Sequence, residues 1–367
     1  MPIFISTHGP RARTARVWIE QGKKQEMKQG QSVVVTGCAG FIGSHVAQRL
    51  LAMGINVVGI DNFDLFYSLG DKRRNLHDAT SAATATSSVS ATSSLTKGSF
   101  TLHEADIADA AAMNTIFNSC DPACVIHLAA KAGVRPSIAD PVGYTIANVV
   151  GTSSILEAAR KAMKRTKLAF PIVVASSSSV YGNATVAPFT ETQDVSEPIS
   201  PYAATKRACE LLGHTHWKLT GQPVSMLRFF TVFGERQRPD LAIAAFMHRI
   251  AIGEPINVFG DGSMTRDFTY VGDTVDGVLA ACEATPRFGY RIWNLGHDHP
   301  VRLDEMVRTI EAAVGKQAKI NRLPDQPGDV RQTWADLSRS RAEIGYAPKI
   351  SFVEGVARQW AWYKATK

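Results

Sequence analysis

Residues 32–61 read SVVVTGCAGFIGSHVAQRLLAMGINVVGID. Val33, Val34 and Val35 form an apolar, β-branched run, as a strand buried on both faces requires. Ile42, Val46 and Leu50 then recur at i, i+4 and i+8, one face of a helix, and Gly54 supplies its stop. Residues 56–60 make a second strand that ends at Asp61. Between the first strand and the helix, Gly37, Gly40 and Gly43 are spaced GxxGxxG. A tight turn, a close backbone approach to a pyrophosphate and close helix–strand packing each need a residue without a side chain. The Asp61 carboxylate can accept hydrogen bonds from adenosine ribose hydroxyls and would repel a 2′-phosphate. The expected cofactor is therefore NAD rather than NADP.

The alternation continues outward from this stretch. Strands are expected near 100–104, 124–128, 171–176 and 223–229, with helices between them. The expected fold is α/β, a Rossmann doubly wound parallel sheet with a smaller mixed α/β C-terminal substrate lobe. The NAD-binding domain is placed at 31–230 and the lobe mainly at 231–367, with 270–295 returning to the first domain. Two segments break the pattern. Residues 1–30 carry scattered Arg and Lys without periodicity and read as a disordered or loosely packed extension. Residues 79–96, ATSAATATSSVSATSSLT, are almost only Ala, Ser and Thr and read as a surface-loop insertion.

The chain has 367 residues, 45% hydrophobic and 20% charged, which suits a globular enzyme. Its net charge of +7 is spread without a basic stripe, so a nucleic-acid partner is not expected. No apolar run approaches the ~20 residues of a membrane span. The five cysteines contain no CxxC pair. Reduced thiols, a cytoplasmic location and no metal site are expected.

Two further motifs carry chemistry. In YAATK, Tyr202 and Lys206 stand at i and i+4 and project from one helix face. A tyrosine is a weak base at neutral pH. An ammonium about 4 Å from a phenolate attracts it by roughly 4 kcal/mol at an effective dielectric of 20. Tyr202 could then take a proton from a sugar hydroxyl. Upstream, ASSSSVYG (175–182) ends a strand in four consecutive serines.

Together, GxxGxxG, HLAAKAG (127–133) and SSS…Y…K resemble the extended short-chain dehydrogenase/reductases that act on nucleotide sugars. The resemblance spans about 32–363. It implies catalytic roles for Ser177, Tyr202 and Lys206, with Ser177 sharing the substrate proton. It implies that Asp106 and Ile107 flank the adenine. Phe41, Ile42, Asn62, Leu128, Ala129, Ala130 and Lys131 would line the cofactor site, and Ser178 would touch the sugar. Related 4,6-dehydratases resemble S-T-D-E-V-Y-G at the strand end, and UDP-glucuronate decarboxylases S-E-V-Y-G. This chain has Ser178 and Ser179 there, so the resemblance points to epimerisation at C4, which needs only oxidation and re-reduction.

RFFTVFGERQRPDLAIAAF (228–246) is similar to UDP-glucuronate 4-epimerases more than to galactose-type enzymes with R-Y-F-N-P-A-G. That similarity implies Thr231 near the sugar diphosphate and Arg238 on a C6 carboxylate, with Arg236 as the competitor for that role. A planar guanidinium suits a carboxylate through its two-pronged fork. VFGDGSMTRDFTYVGD (258–273) implies Arg266 at the diphosphate. QPGDV (326–330) implies Asp329 in a second diphosphate segment, where Gln326 replaces a frequent arginine. Arg135, in AGVRPS, is a further anion-site residue. The implied partners are a UDP-sugar and a second copy of the chain, the helix over 201–219 doubling as a dimer surface. A UDP-glucose/UDP-galactose or N-acetylhexosamine 4-epimerase is the alternative. A UDP-glucuronate decarboxylase or a non-catalytic NAD-binding regulator fits the motifs less well.

Overall fold

The structure is a computed structural model that describes residues 26–85, 97–324 and 330–366. Residues 1–25 of the expected extension, residues 86–96 of the expected insertion, and Asp329 lie outside them.

Seven parallel strands form the main sheet: β1 (Ser32–Thr36), β2 (Asn56–Asp61), β3 (Phe100–Glu104), β4 (Pro122–His127), β5 (Ile172–Ser177), β6 (Val224–Phe229) and β10 (Tyr290–Leu295). Their spatial order is β10-β6-β5-β4-β1-β2-β3. The order reverses between β1 and β4, the point where an open parallel sheet leaves a crevice at its carboxyl ends. Side chains alternate across a strand. Val33 and Val35 therefore pack into one core with Val46 and Leu50 of α1 (Phe41–Ala52). Val34 joins the opposite core with Met113, Ile116 and Phe117 of α3 (Ala110–Asn118). Each such side chain, fully buried, contributes about 1.5–3 kcal/mol.

α2 is Leu69–Ala85. It runs seven residues into the stretch expected to be loop from 79. Alanine has the highest helix propensity, and the Ala-rich start of that stretch extends the preceding helix. After β4 come α4 (Val134–Ala139) and α5 (Pro141–Tyr144), which passes through a π turn, Thr145–Val150, into α6 (Gly151–Thr166). α7 (Pro201–Thr220) starts with Ser200, whose side chain accepts the Ala203 amide, and stops at Gly221, whose φ of 73° suits glycine.

The smaller lobe contains β7 (Thr231–Phe233), α8 (Ala242–Ile252), β8 (Ile256–Phe259), β9 (Thr265–Tyr270), β11 (Pro300–Arg302), α10 (Leu303–Val314), β12 (Ile320–Leu323) and α12 (Phe352–Thr366). Its core joins Phe233, Met247, Phe268, Ile310 and Phe352. Between these pieces the chain returns to the main sheet. α9 (Val271–Phe288) packs on it, and β10 pairs with β6 from Tyr290↔Val224 to Leu295↔Phe229. α11 (Ser338–Ile344) lies against β10.

Candidate active site

A cleft of about 520 Å³ opens at the carboxyl ends of the strands. It gathers Gly37, Gly40, Phe41, Ile42, Gly43, Asp61, Asn62, Asp106, Ile107, Leu128, Ala129, Ala130, Lys131, Ser177, Tyr202, Lys206, Thr231 and Arg238 on one wall system.

The glycine turn leaves no room for side chains. A Cβ on Gly37, whose φ is 70°, would lie 2.8 Å from the Ala129 amide nitrogen, and one on Gly43 would lie 2.0 Å from the Gly37 carbonyl oxygen. Asp61 straps this turn from the next strand. Its Oδ2 accepts the Ala39 amide at 3.1 Å and its Oδ1 the Phe63 amide at 2.8 Å, while Lys72 Nζ stands 3.8 Å away. Asn62 Nδ2 donates to Asp106 Oδ2 at 2.9 Å, tying the ends of β2 and β3. A bare backbone cradle beside an acid-lined wall fits a dinucleotide.

At the other end of the cleft, Ser177 Oγ accepts the Ser179 amide at 3.1 Å, which leaves its own proton to donate. Tyr202 lies in the first turn of α7, fixed by its amide donating to Ser137 Oγ at 3.1 Å. Lys206 Nζ donates to the Ala175 carbonyl at 2.9 Å rather than to Tyr202, and its side chain is buried. No carboxylate among the described residues pairs with it. Ser176 faces the cleft edge, but its hydroxyl donates to Glu210 Oε1 at 2.7 Å. Ser178, expected at the sugar, opens the 3-10 turn Ser178–Tyr181 and stands half-buried off the cleft wall, because the turn ends the strand's alternation.

The arginines separate. Arg238 lines the cleft, its guanidinium 4.7 Å from the Phe66 ring centroid. Its Nε and Nη2 donate to the two carboxylate oxygens of Asp240 at 3.0 and 2.8 Å. Its Nη1 makes no hydrogen bond among the described residues. Arg236 is buried away from the cleft, on Ser44 and Gln48. Arg135 lies outside the cleft wall, 4.8 Å over the Phe259 ring, and so joins α4 to β8. Arg266 is also outside it, on β9, with Nη1 donating to the carbonyl of Thr265.

A hydrogen-bond chain invisible to motif reading connects these parts. Thr36 Oγ1 accepts the amides of Leu128 and Ala129 at 3.2 and 3.1 Å. Its proton therefore goes to His127 Nδ1, 2.7 Å away. Burial, then the Lys206 charge, lowers the His127 pKa to about 3, so the ring is neutral and Nε2 carries the proton. That proton goes to Thr152 Oγ1 at 3.0 Å, Thr152 donates to Cys209 Sγ at 3.4 Å, and the thiol donates to the Asn148 carbonyl at 3.3 Å. Asn148 sits in the π turn. Its Oδ1 accepts the Lys131 amide, and its Nδ2 donates to the Lys131 carbonyl and to Thr205, which donates to the Tyr202 carbonyl. The glycine turn and the helix that carries Tyr202 and Lys206 are thus linked without a gap.

A family model described as GDP-mannose 4,6 dehydratase matches residues 34–359. The chain belongs to this family. UDP-glucuronate 4-epimerase of Thermodesulfobacterium geofontis is 37% identical over 333 residues, 90% of this chain and 95% of that protein. A probable UDP-glucuronate 4-epimerase of Rhizobium meliloti is 36% identical over 347 residues, 90% and 96% of the two chains. The crystal structure of UDP-glucuronic acid 4-epimerase from Bacillus cereus, in complex with UDP-glucuronic acid and NAD, superposes with a TM-score of 0.80 at 32% identity, covering 92% of this chain and all of that one.

Proposed function

We propose that this chain inverts C4 of a UDP-sugar, interconverting UDP-glucuronate and UDP-galacturonate, with NAD retained through the cycle. The observation that carries the reading is the end of β5. Ser177, Tyr202 and Lys206 line the cleft there, and among the described residues no carboxylate is placed to eliminate water or assist loss of CO₂. The acids on the cleft wall, Asp61, Asp64 and Asp106, come from the ends of β2 and β3. Those strands lie three and four positions from β5, about 14–19 Å at the usual strand spacing. Glu210 is nearer, but it is fully buried and held by Arg228, Arg207 and Ser176.

The glycine turn, Asp61 and the Leu128–Lys131 segment would hold NAD, which supplies the acceptor and donor for the C4 hydride. Tyr202 Oη takes the O4 proton while Ser177 Oγ donates to the same oxygen. The buried Lys206 ammonium favours the phenolate form of Tyr202 that accepts this proton. Arg238 directs Nη1 at a C6 carboxylate. Held there, the carboxylate cannot align its C–C bond with the C4 ketone, which opposes decarboxylation.

The test is incubation with UDP-glucuronate and with UDP-glucose, without added NAD, followed by separation of products. UDP-galacturonate is expected from the first. An Arg238→Ala variant with unchanged turnover and products would remove the role given to Arg238. One observation favours a second reading, a UDP-glucose/UDP-galactose or N-acetylhexosamine 4-epimerase: Asp240 already neutralises Arg238.

We further propose a homodimer through α7 and the π turn, where Leu211, Leu219, Ile146 and Val150 remain exposed. Light scattering tests it. A cytoplasmic location is supported by five free cysteines and by the lack, among the described residues, of a helix long and apolar enough to cross a membrane.

A further inference from the structure

A second cavity, about 150 Å³, lies behind the cleft between α2, the 236–239 turn, α8 and α12. Its wall is largely apolar, with Pro239, Ala244, Met247 and Trp362, but it carries two arginines, Arg74 and Arg236. Arg236 is 8% exposed and its backbone is left-handed, with φ 61°. Its Nη2 donates to Gln48 Oε1 at 2.7 Å and its Nη1 to Ser44 Oγ at 3.5 Å. Both partners are neutral, and no carboxylate among the described residues forms an ion pair with it. Glu235, next in sequence, is turned to the Tyr270 hydroxyl, which donates to it at 2.8–2.9 Å. Asp78 and Glu235 act on it only from beyond ion-pair distance, and burial outweighs them. A buried cation without a paired counter-ion is costly.

Arg74 and Tyr67 add unmet hydrogen-bonding capacity. One Arg74 Nη is spent on Asp71, which also lines the cavity, but its Nε is buried and has no partner. The buried Tyr67 hydroxyl lies beside Asn75 but has no partner within hydrogen-bond geometry either. The neutral amides of the wall are occupied elsewhere. Asn75 donates to the Ala39 carbonyl, Gln237 to the Val232 carbonyl, and Gln359 to Gln237. Unmet donors and a buried guanidinium without an ion pair meet at one cavity. Water could satisfy the donors but not the charge.

We propose that this cavity is an anion site, filled by a small oxyanion of the phosphate or sulfate class held between Arg236, Arg74 and the Tyr67 hydroxyl. The site is separate from the sugar-nucleotide cleft, although Tyr67 lines both. Arg236 grips α1 through Ser44 and Gln48, and Asn75 grips the glycine turn at Ala39. A bound anion therefore braces the cofactor loop from behind.

Inorganic phosphate is titrated by calorimetry into the NAD-loaded protein with UDP at saturation, so that the cleft is filled, against chloride at equal ionic strength. Saturable one-site binding is expected. It should weaken at least ten-fold in Arg74→Gln, whose half-exposed side chain makes a folding defect least expected, and in Arg236→Gln. Arg236→Lys, which keeps the charge, should retain part of it if the glutamine variant does not fold. Arg238→Gln should bind as wild type does. The proposal is overturned by the absence of saturable binding, by undiminished binding in Arg74→Gln and Arg236→Gln, or by loss in Arg238→Gln, which would put the phosphate in the main cleft.

Discussion

Replacing Glu210 by glutamine should cost this chain far more stability than any exposed charge substitution. Glu210 is fully buried, and Arg228 beside it is 1% exposed. Arg228 donates to both carboxylate oxygens at 2.8 and 2.9 Å, Arg207 donates at 3.0 Å, and the Ser176 hydroxyl at 2.7 Å. Burial alone would raise the Glu210 pKa, but the bonds and charge of Arg228 outweigh it and hold the carboxyl below its ordinary value. Glutamine keeps the shape and removes the charge, which leaves Arg228 buried over the Tyr181 ring without a counter-ion. Removing one partner of such a pair costs about 3–5 kcal/mol. At about 2.1 cal/mol/K per residue, 367 residues give an unfolding entropy near 0.8 kcal/mol/K, so Tm should fall by about 4–7 °C. Scanning calorimetry at neutral pH measures it, with Glu354→Gln as the exposed control, since the Arg358–Glu354 pair is nearly half exposed on both sides. The control should shift little. A Glu210→Gln loss no larger than the control's would refute the reasoning.

A methyl group on Gly43 has nowhere to go, so Gly43→Ala should purify with little or no NAD, read from nucleotide released on denaturation. Asp240→Asn keeps an acceptor for Arg238 and removes the competing charge. KM for UDP-glucuronate should fall about five-fold, from about 1 kcal/mol of relieved repulsion at a partly solvated site, while KM for UDP-glucose stays put. Acidification should destabilise the fold before most carboxylates titrate. Burial lowers His45 to about 4 and His127 to about 3, so the unfolded chain takes up protons from about pH 6.5 downward that the folded chain refuses. Urea titrations should show stability falling between about pH 6.5 and 4.5 by up to about 1.4 kcal/mol per pH unit for each such histidine, with a shallower slope in His127→Gln.

The sheet was legible because its information is local. Val33–Val35, the glycine spacing and the Ile42, Val46, Leu50 stripe each lie within one turn or strand of their neighbours. The end of α2 was misread because the Ala, Ser and Thr composition after residue 79 resembles loop while its alanines favour helix. Four identical neighbours give no sign of where the strand stops, so the turn that sets Ser178 off the cleft wall was not legible. Glu210 reads as an ordinary helix acid until Arg228, eighteen residues on, is brought against it by β6. Asp240 reads as a solvated loop acid until Arg238 folds back on it. Asn148 gains its role only when Thr205, 57 residues away, packs beside it.

The proton chain from Thr36 to Asn148 has a further consequence. It has one polarity, set at its head by two backbone amides that cannot turn round. Each link is therefore a donor to the next and an acceptor from the last, and a swap at one position strands its neighbour. Thr36 must keep a hydroxyl for the Leu128 and Ala129 amides, whereas His127, Thr152 and Cys209 behave as a single heritable unit, closed to replacement one at a time. In a library randomised at these four positions, survivors should keep a hydroxyl at 36 and change the other three together rather than singly.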